Sequence, residues 1–344
     1  MKINIGKLTI GGDYIPIQSM IKNPVTEVDK TIQKIERLAN IGCDIIRITV
    51  PDETAVSGLR EVLKNVTIPV VADIHFDYKL AIMAIEAGVH KVRINPGNIG
   101  GEEKVKKVID CLKEHNIPVR IGINGGSLPK HLKEKYVDNV KTMLEAAKEE
   151  VGYFDKYGYD KIVLSFKSSN VLETIEINTL AKKEFGFPLH IGVTEAGDKI
   201  DGTVKNSIGV GHLLLNNIGD TIRVSLTAPE EDEVLVGKKI LESVGRRSPE
   251  LEIISCPTCG RTEVNIENLV SQVKQATNFV KLKQRIKIAI MGCVVNGPGE
   301  ASSANFGVAC GKDKSIIFKD GKNLKNVNNT QILDELLNIL KEYY

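Results

Sequence analysis

Lys91-Val92-Arg93-Ile94-Asn95 and Pro118-Val119-Arg120-Ile121-Gly122-Ile123-Asn124 decide the fold. In the first stretch Val92 and Ile94 share one face, and Arg93 and Asn95 share the other. In the second, Val119, Ile121 and Ile123 oppose Arg120, Gly122 and Asn124. Period-two alternation marks a strand whose two faces meet different surroundings. Working outward, the same alternation sets Ile46 and Ile48 against Arg47 and Thr49, and Ala72 and Ile74 against Asp73 and His75. It sets Leu164 and Phe166 against Ser165 and Lys167, and Ile191 and Val193 against His190 and Thr194. Val224 and Leu226 likewise oppose Arg223, Ser225 and Thr227. The predicted strands are 15–20, 44–50, 70–75, 91–95, 118–124, 161–167, 188–195 and 221–227, each followed by a helical pattern such as 27–41 or 231–244. Eight successive strand–helix units predict an α/β fold, a closed eight-stranded TIM barrel over residues 1–245. A doubly wound open sheet is the alternative, but it usually has fewer units, and its Gly-x-Gly-x-x-Gly phosphate loop is missing after the first strand.

Outer faces of barrel strands pack on helices and are apolar, so the polar sets are expected to point inward. They gather at the carboxyl ends of the strands, where barrel enzymes build active sites. Five strands bring a cation there: Arg47, Arg93, Arg120, Lys167 and Arg223. Only Asp73 and Glu195 oppose them, so the surplus of positive charge calls for an anionic ligand, and Arg suits phosphate oxygens through its planar fork. The competing reading is a purely structural network of buried ion pairs, disfavoured because burying ions is costly. Asp73 and His75 fit two roles equally, orienting the arginines or touching a substrate. Glu195, in Gly192-Val193-Thr194-Glu195-Ala196-Gly197, is the candidate for proton transfer or for holding a hydroxyl. Gly125-Gly126-Ser127-Leu128 is a weak candidate phosphate cradle. His90, His115 and His131 are expected to be solvated.

The chain has 344 residues and a net charge of +2, which points to two domains and gives no support to a general nucleic-acid binder. No apolar run is long enough to cross a bilayer. With no signal peptide and nothing pointing to an oxidising compartment, disulfides are not expected and a cytoplasmic location is. Arg246-Arg247-Ser248-Pro249-Glu250 reads as a linker into a smaller α/β domain over 246–344. Its strands are predicted at 251–255, 287–291, 306–310 and 315–319, with helices near 264–280 and 330–341. That domain carries Cys256-Pro257-Thr258-Cys259-Gly260-Arg261 and, far along the chain, Gly292-Cys293-Val294-Val295-Asn296-Gly297-Pro298-Gly299-Glu300. Three thiolates suit an iron–sulfur cluster with one iron left open. Structural zinc is the competitor, although it normally shows a second tight pair. Cys43 and Cys111 read as small core residues, and Cys310 as core or a fourth ligand.

The two cysteine segments resemble the signature of the hydroxymethylbutenyl diphosphate synthase family. The resemblance extends through Val92-Arg93-Ile94-Asn95-Pro96-Gly97-Asn98, Arg120-Ile121-Gly122-Ile123-Asn124-Gly125-Gly126-Ser127-Leu128 and Val193-Thr194-Glu195-Ala196-Gly197, and so covers nearly the whole chain. It is the short two-domain bacterial form that the chain is similar to. The resemblance implies a 4Fe-4S cluster on Cys256, Cys259 and Cys293 with Glu300 as fourth ligand, and leaves Cys310 out. It implies that Arg47, Arg93, Asn95, Arg120, Asn124, Lys167 and Ser225 hold the diphosphate of methylerythritol cyclodiphosphate, with Asp73 and Thr194 nearby and Glu195 as acid. Electrons would come from flavodoxin or ferredoxin, in a homodimer whose active site is composite. A zinc-stabilised phosphate-binding barrel without redox chemistry is the rival from another class. A radical S-adenosylmethionine barrel is a rival among enzymes, but its bunched Cys-x3-Cys-x2-Cys pattern is absent.

Overall fold

Apolar strands that must bury both faces pair in parallel under helices, and six of them do so here. In order they are β3 (Gln18–Met20), β4 (Ile45–Thr49), β5 (Val70–Asp73), β6 (Lys91–Ile94), β7 (Val119–Asn124) and β8 (Ile162–Lys167). The computed structural model describes residues 1–277, 280, 282–293, 301 and 303–344, which divide into two units, Met1–Arg247 and Ser248–Tyr344. In the first unit, a separate parallel pair, β9 (His190–Ile191) and β10 (Thr221–Ile222), follows β8. Single parallel bridges, Leu164↔Leu189 and Ile17↔Ile222, link this pair to the two edges of the curled six-stranded sheet.

The outer faces carry the apolar half of each alternation. Ile46, Ile48, Ala72, Ile74, Val92, Ile94, Val119, Ile121, Leu164 and Phe166 join one core with helix residues such as Leu59, Ile109, Ala146 and Leu241. The helices are cut to fit that core by capping side chains: Asp52, Asp138, Asn170 and Asp198 each accept a backbone N–H in the first turn. On the inner side the apolar layer is at one end only. Ile45, Val71 and Val163 pack there against Ile3, Ile5 and Ile10 of an N-terminal hairpin, β1 (Ile3–Ile5) and β2 (Leu8–Ile10). The alternation analysis did not find this hairpin, because three-residue strands are too short to show a period.

The seventh and eighth strands, predicted at 188–195 and 221–227, are corrected to two residues each. The cause is local. Gly192 lies so close to the neighbouring chain that a Cβ on it would fall 2.2 Å from the Arg223 carbonyl oxygen. Beyond it the backbone leaves the ladder: Glu195 takes φ +50°, and the Leu226 N–H goes to the Glu233 carboxylate at 3.1 Å.

In the second unit β11 (Leu251–Ser255), β12 (Ile286–Met291), β13 (Phe306–Ala309), β14 (Lys314–Lys319) and β15 (Lys322–Asn328) form one sheet in chain order. Its first three strands are parallel and the rest antiparallel. Helices Ile266–Thr277 and Ile332–Leu340 cover one face through Leu269, Val273, Leu336 and Leu340, against Ile288, Ile290, Phe306, Val308 and Ile317. Asp320 and Gly321, at φ 49° and 73°, make the tight hairpin that their sequence predicts.

Gly192→Ala should destabilise the first unit by about 1–3 kcal/mol, the usual cost of forcing a methyl into a packed site. Thermal unfolding checks this, and an unchanged midpoint would mean that the two chains are not in such close contact.

Candidate active site

Along the strands the inner residues change from apolar to charged. Register places Arg47 beside Val71, Asp73 beside Arg93, Arg93 beside Arg120, and Asn124 beside Lys167. Asp73 is 2% exposed and is the hub. Its two oxygens lie 3.6 Å from Arg47 Nε and 3.3 Å from Arg93 Nη1, and His75 Nε2 is 3.3 Å away. Burial pushes the Asp73 carboxyl up, but Arg47, the His75 hydrogen bond, Arg93 and Arg120 together hold it well below the usual carboxylate range. Arg93 also lies across Gly122, where a Cβ would stand 2.9 Å from its Nε.

The other cations have less to bind. Arg120 is 2% exposed, and its Nε and Nη1 make no hydrogen bond. Burial, then Arg47 and Arg93, push its pKa well below the ordinary arginine value. Burial with Arg223 and Arg120 does the same to Lys167, whose Nζ would be 3.2 Å from a Cβ on Gly192. Arg47 is lowered to about 10, chiefly by burial. Arg223 pairs with Glu233 at 3.4 Å, while its Nε makes no hydrogen bond.

The remaining predicted residues are spread around this set. Asn95 is buried where β6 gives way to the short helix Pro96–Ile99, and Asn124 is half-buried at the end of β7. Thr194 and Ser225 are half-buried on the segments that follow β9 and β10. Glu195 is exposed, with its backbone in the left-handed region, so it lies in a loop and does not end a strand as predicted. Glu195 also takes no part in the ion-pair network; the second carboxylate there is Glu233, from helix Glu230–Ser243, which sequence alternation along strands does not reveal. Lys91 and His190 were passed over as site residues. Both are fully buried, in alternation with Arg93 and Gly192, and neither Lys91 Nζ nor His190 Nε2 makes a hydrogen bond. The period-two pattern already held this signal. His90 is not simply solvated: its Nδ1 accepts the Val70 N–H at 3.1 Å.

In the second unit the cysteines surround Gly292. The Gly292 N–H donates to Cys256 Sγ at 3.1 Å, and a Cβ on Gly292 would be 3.0 Å from Thr262 and 3.1 Å from that sulfur. Thr262 in turn fixes the turn, accepting the Cys259 N–H at 2.9 Å. The Arg261 backbone N–H, more than any other group, holds the exposed Cys259 thiol below its ordinary pKa. Cys293 is half-buried directly after Gly292. Cys310 instead packs in the helix-covered core beside Val308, and burial pushes its pKa up to about 11. Glu300 lies outside the described residues. Among the described residues no group of three or more His, Cys, Asp or Glu converges as a single-ion site, and no helix is long and apolar enough to cross a membrane.

Comparisons with known proteins follow the same division. The family model of the GcpE TIM-barrel domain matches residues 1–238, and that of the GcpE protein C-terminal domain matches 252–342. The chain is 49% identical over 338 residues to the 4-hydroxy-3-methylbut-2-en-1-yl diphosphate synthase (flavodoxin) of Caldanaerobacter subterraneus subsp. tengcongensis, covering 98% of this chain and 95% of that one. A protein of the same name from Caldicellulosiruptor saccharolyticus is 47% identical, covering 100% of this chain and 99% of its own length. Among solved structures, a dihydropteroate synthase from Coxiella burnetii superposes with a TM-score of 0.51 at 13% identity, over 71% of this chain and 98% of that one, a likeness of fold alone. Matches that run nearly end to end at this level of identity show that the chain belongs to the GcpE family.

Proposed function

We infer that the chain is the oxidoreductase of the methylerythritol phosphate route that converts 2-C-methyl-D-erythritol 2,4-cyclodiphosphate to 4-hydroxy-3-methylbut-2-enyl diphosphate. Two electrons and two protons enter, the ring opens and one water leaves. The observation that carries this reading is the surplus of buried, under-partnered cations inside the first unit, in a chain whose near-half-identical relatives bear that synthase name. The non-redox zinc-binding reading is not favoured by that relationship.

The proposed site residues are those that the resemblance implies, supported by the cluster of buried cations. Arg47, Arg93, Arg120 and Lys167, with Asn95, Asn124 and Ser225, hold the diphosphate. Asp73 fixes two of the arginines, and Thr194 lies at the edge of the same site. Glu195, exposed on a loop with a constrained backbone, presents its carboxyl to the departing hydroxyl as the proton donor. We read the six-stranded sheet and the β9–β10 pair as one eight-stranded barrel over residues 1–245, supported by the two bridges between them.

Residues 246–344 are taken as the cluster domain. Cys256, Cys259 and Cys293 suit a 4Fe-4S cluster, with Glu300 as fourth ligand. An N–H directed at Cys256 Sγ and a depressed Cys259 thiol are what a thiolate set needs. A cluster spreads its ligands over separate irons, so its thiolates need not converge as on one zinc. Bound there, it would supply single electrons and an oxygen-binding iron, with flavodoxin or ferredoxin as donor. A reducing cytoplasm suits exposed thiols of this kind.

The site is proposed to be composite, in a homodimer. Arg247, the last residue of the first unit, is tied to Tyr14 Oη at 2.6 Å, to the Ile15 carbonyl at 3.3 Å and to the Asp44 carboxylate. These residues precede β3 and β4, so the chain leaves the first unit at the opposite end from the cations.

Cys256→Ser, Cys259→Ser and Cys293→Ser should each lose most bound iron and all activity, whereas Cys310→Ser should keep both. Iron and acid-labile sulfide analysis decides, and iron loss in Cys310→Ser would reinstate a four-cysteine site. Arg120→Ala should weaken substrate binding by about 1.5–3 kcal/mol, the worth of a charge-assisted hydrogen bond, with the visible spectrum unchanged. Titration of substrate into both proteins measures this. Mixing Arg120→Ala chains with Cys293→Ser chains should restore part of the activity once subunit exchange is verified. If none returns, closure occurs within one chain.

A further inference from the structure

Lys91 is the inner residue of β6 that the function described above does not use. It is fully buried, and its Nζ makes no hydrogen bond. By register it stands beside Val71 on β5, two residues below Arg93 on its own strand. The charged groups acting on it are cations, Arg120 from β7 and Arg47 from β4. His190 from β9 is close enough to feel its charge, and is held by Thr221 Oγ1 on β10 at 2.7 Å. Gln18 on β3 and Val163 on β8 offer no charge, and both polar atoms of the Gln18 side chain make no hydrogen bond. The interior carboxylate Asp73 is already engaged by Arg47, Arg93 and His75. On the hairpin side, Val71 packs with Ile45 and Val163 against Ile3, Ile5 and Ile10.

An ammonium with no counter-ion, in an apolar surround and beneath two guanidiniums, is unfavourable, and a lysine so placed sheds its proton. Its pKa is accordingly pushed well below the ordinary value, first by burial and then by Arg120 and Arg47. A bound diphosphate brings two negative charges that oppose this field. We propose that Lys91 is a positioning residue for the diphosphate: a neutral amine in the free barrel, it takes a proton from solvent as the substrate anion binds, and the ammonium so formed adds to the positive field that holds the anion. No covalent bond changes; one proton moves from water to Nζ. The inference rests on the diphosphate reading of the site.

The sign is fixed by linkage. Binding that takes up a proton weakens as pH rises, by about tenfold per pH unit for one proton while Lys91 is neutral in the free protein. The test is calorimetric titration of the anaerobic, cluster-loaded protein with 2-C-methyl-D-erythritol 2,4-cyclodiphosphate and no reductant. It is run at pH 8 in two buffers of different ionisation enthalpy. Each phosphorus of this ligand carries one strongly acidic group, so the ligand itself does not titrate near that pH. The wild type should take up at least one proton per substrate, and Lys91→Met should take up about one fewer and lose most of the pH dependence of its affinity. Lys167, His190 and Arg120 also have lowered pKa values and could take up protons, so the Lys91 contribution is read as the difference between wild type and Lys91→Met; His190→Gln should leave it in place. Equal uptake by wild type and a folded Lys91→Met protein would overturn the proposal. Binding by the wild type with no uptake would do so too, whether or not the variant folds. No binding at all by the wild type would instead remove the diphosphate reading, and this inference with it.

Discussion

Positive charge that the protein does not itself neutralise is the constraint on which the first unit is built. Arg47, Arg93, Arg120 and Lys167 line the inner side of neighbouring strands and Arg223 follows β10, while Asp73 and Glu233 are the carboxylates that pair with members of the set. Holding such a set together costs several kcal/mol for each uncompensated ion. A fold tolerates that only on a rigid frame, and the frame here is the ladder of parallel strands fixed by an outer apolar core and sealed at one end by the N-terminal hairpin. Asp73 is pivotal within the set, since it fixes two arginines on two strands and leaves Arg120 Nε and Nη1 for something else.

The second unit solves a different problem. Thiols proposed to bind metal must be accessible, yet held in place without a packed core around them. The turn from Cys256 to Thr262 achieves this through backbone contacts: Gly292 lets the turn lie directly on it, and Thr262 locks the turn from the side. Cys310 is only a few residues from the same sheet end, but it points into the helix-covered face and is consumed by packing. Which face of the sheet a cysteine occupies therefore separates a candidate ligand from a core residue.

Much of this was legible in the sequence. The alternation around Arg93 and Arg120 gave the strands, their inner faces and the cation surplus, because a strand buried on both sides must put its unlike residues on opposite sides. Lys91 and His190 belong to the same alternation, but they lie away from the carboxyl ends of the strands, where a barrel's active site is sought. Glu233 escaped because it comes from a helix, and contacts between elements distant in sequence leave no periodic mark. The length of the seventh and eighth strands was overestimated for a related reason: the alternation continues to Thr194 and Ser225, but the close approach at Gly192 and the backbone of Glu195 break the ladder earlier. The cysteine spacing reads as a metal site, and as a cluster before zinc because a second tight pair is missing; the cluster type and its fourth ligand rest on resemblance.

The central proposal is that a first unit that binds the anion and a second unit that carries the cluster act on one molecule. Anaerobic incubation of the cluster-reconstituted protein with 2-C-methyl-D-erythritol 2,4-cyclodiphosphate and a chemical reductant tests this most directly. It predicts 4-hydroxy-3-methylbut-2-enyl diphosphate formed in equal amount to the substrate lost, with two electrons consumed for each. A protein that carries its full complement of iron and sulfide, binds the cyclic diphosphate and leaves it unchanged would contradict the claim.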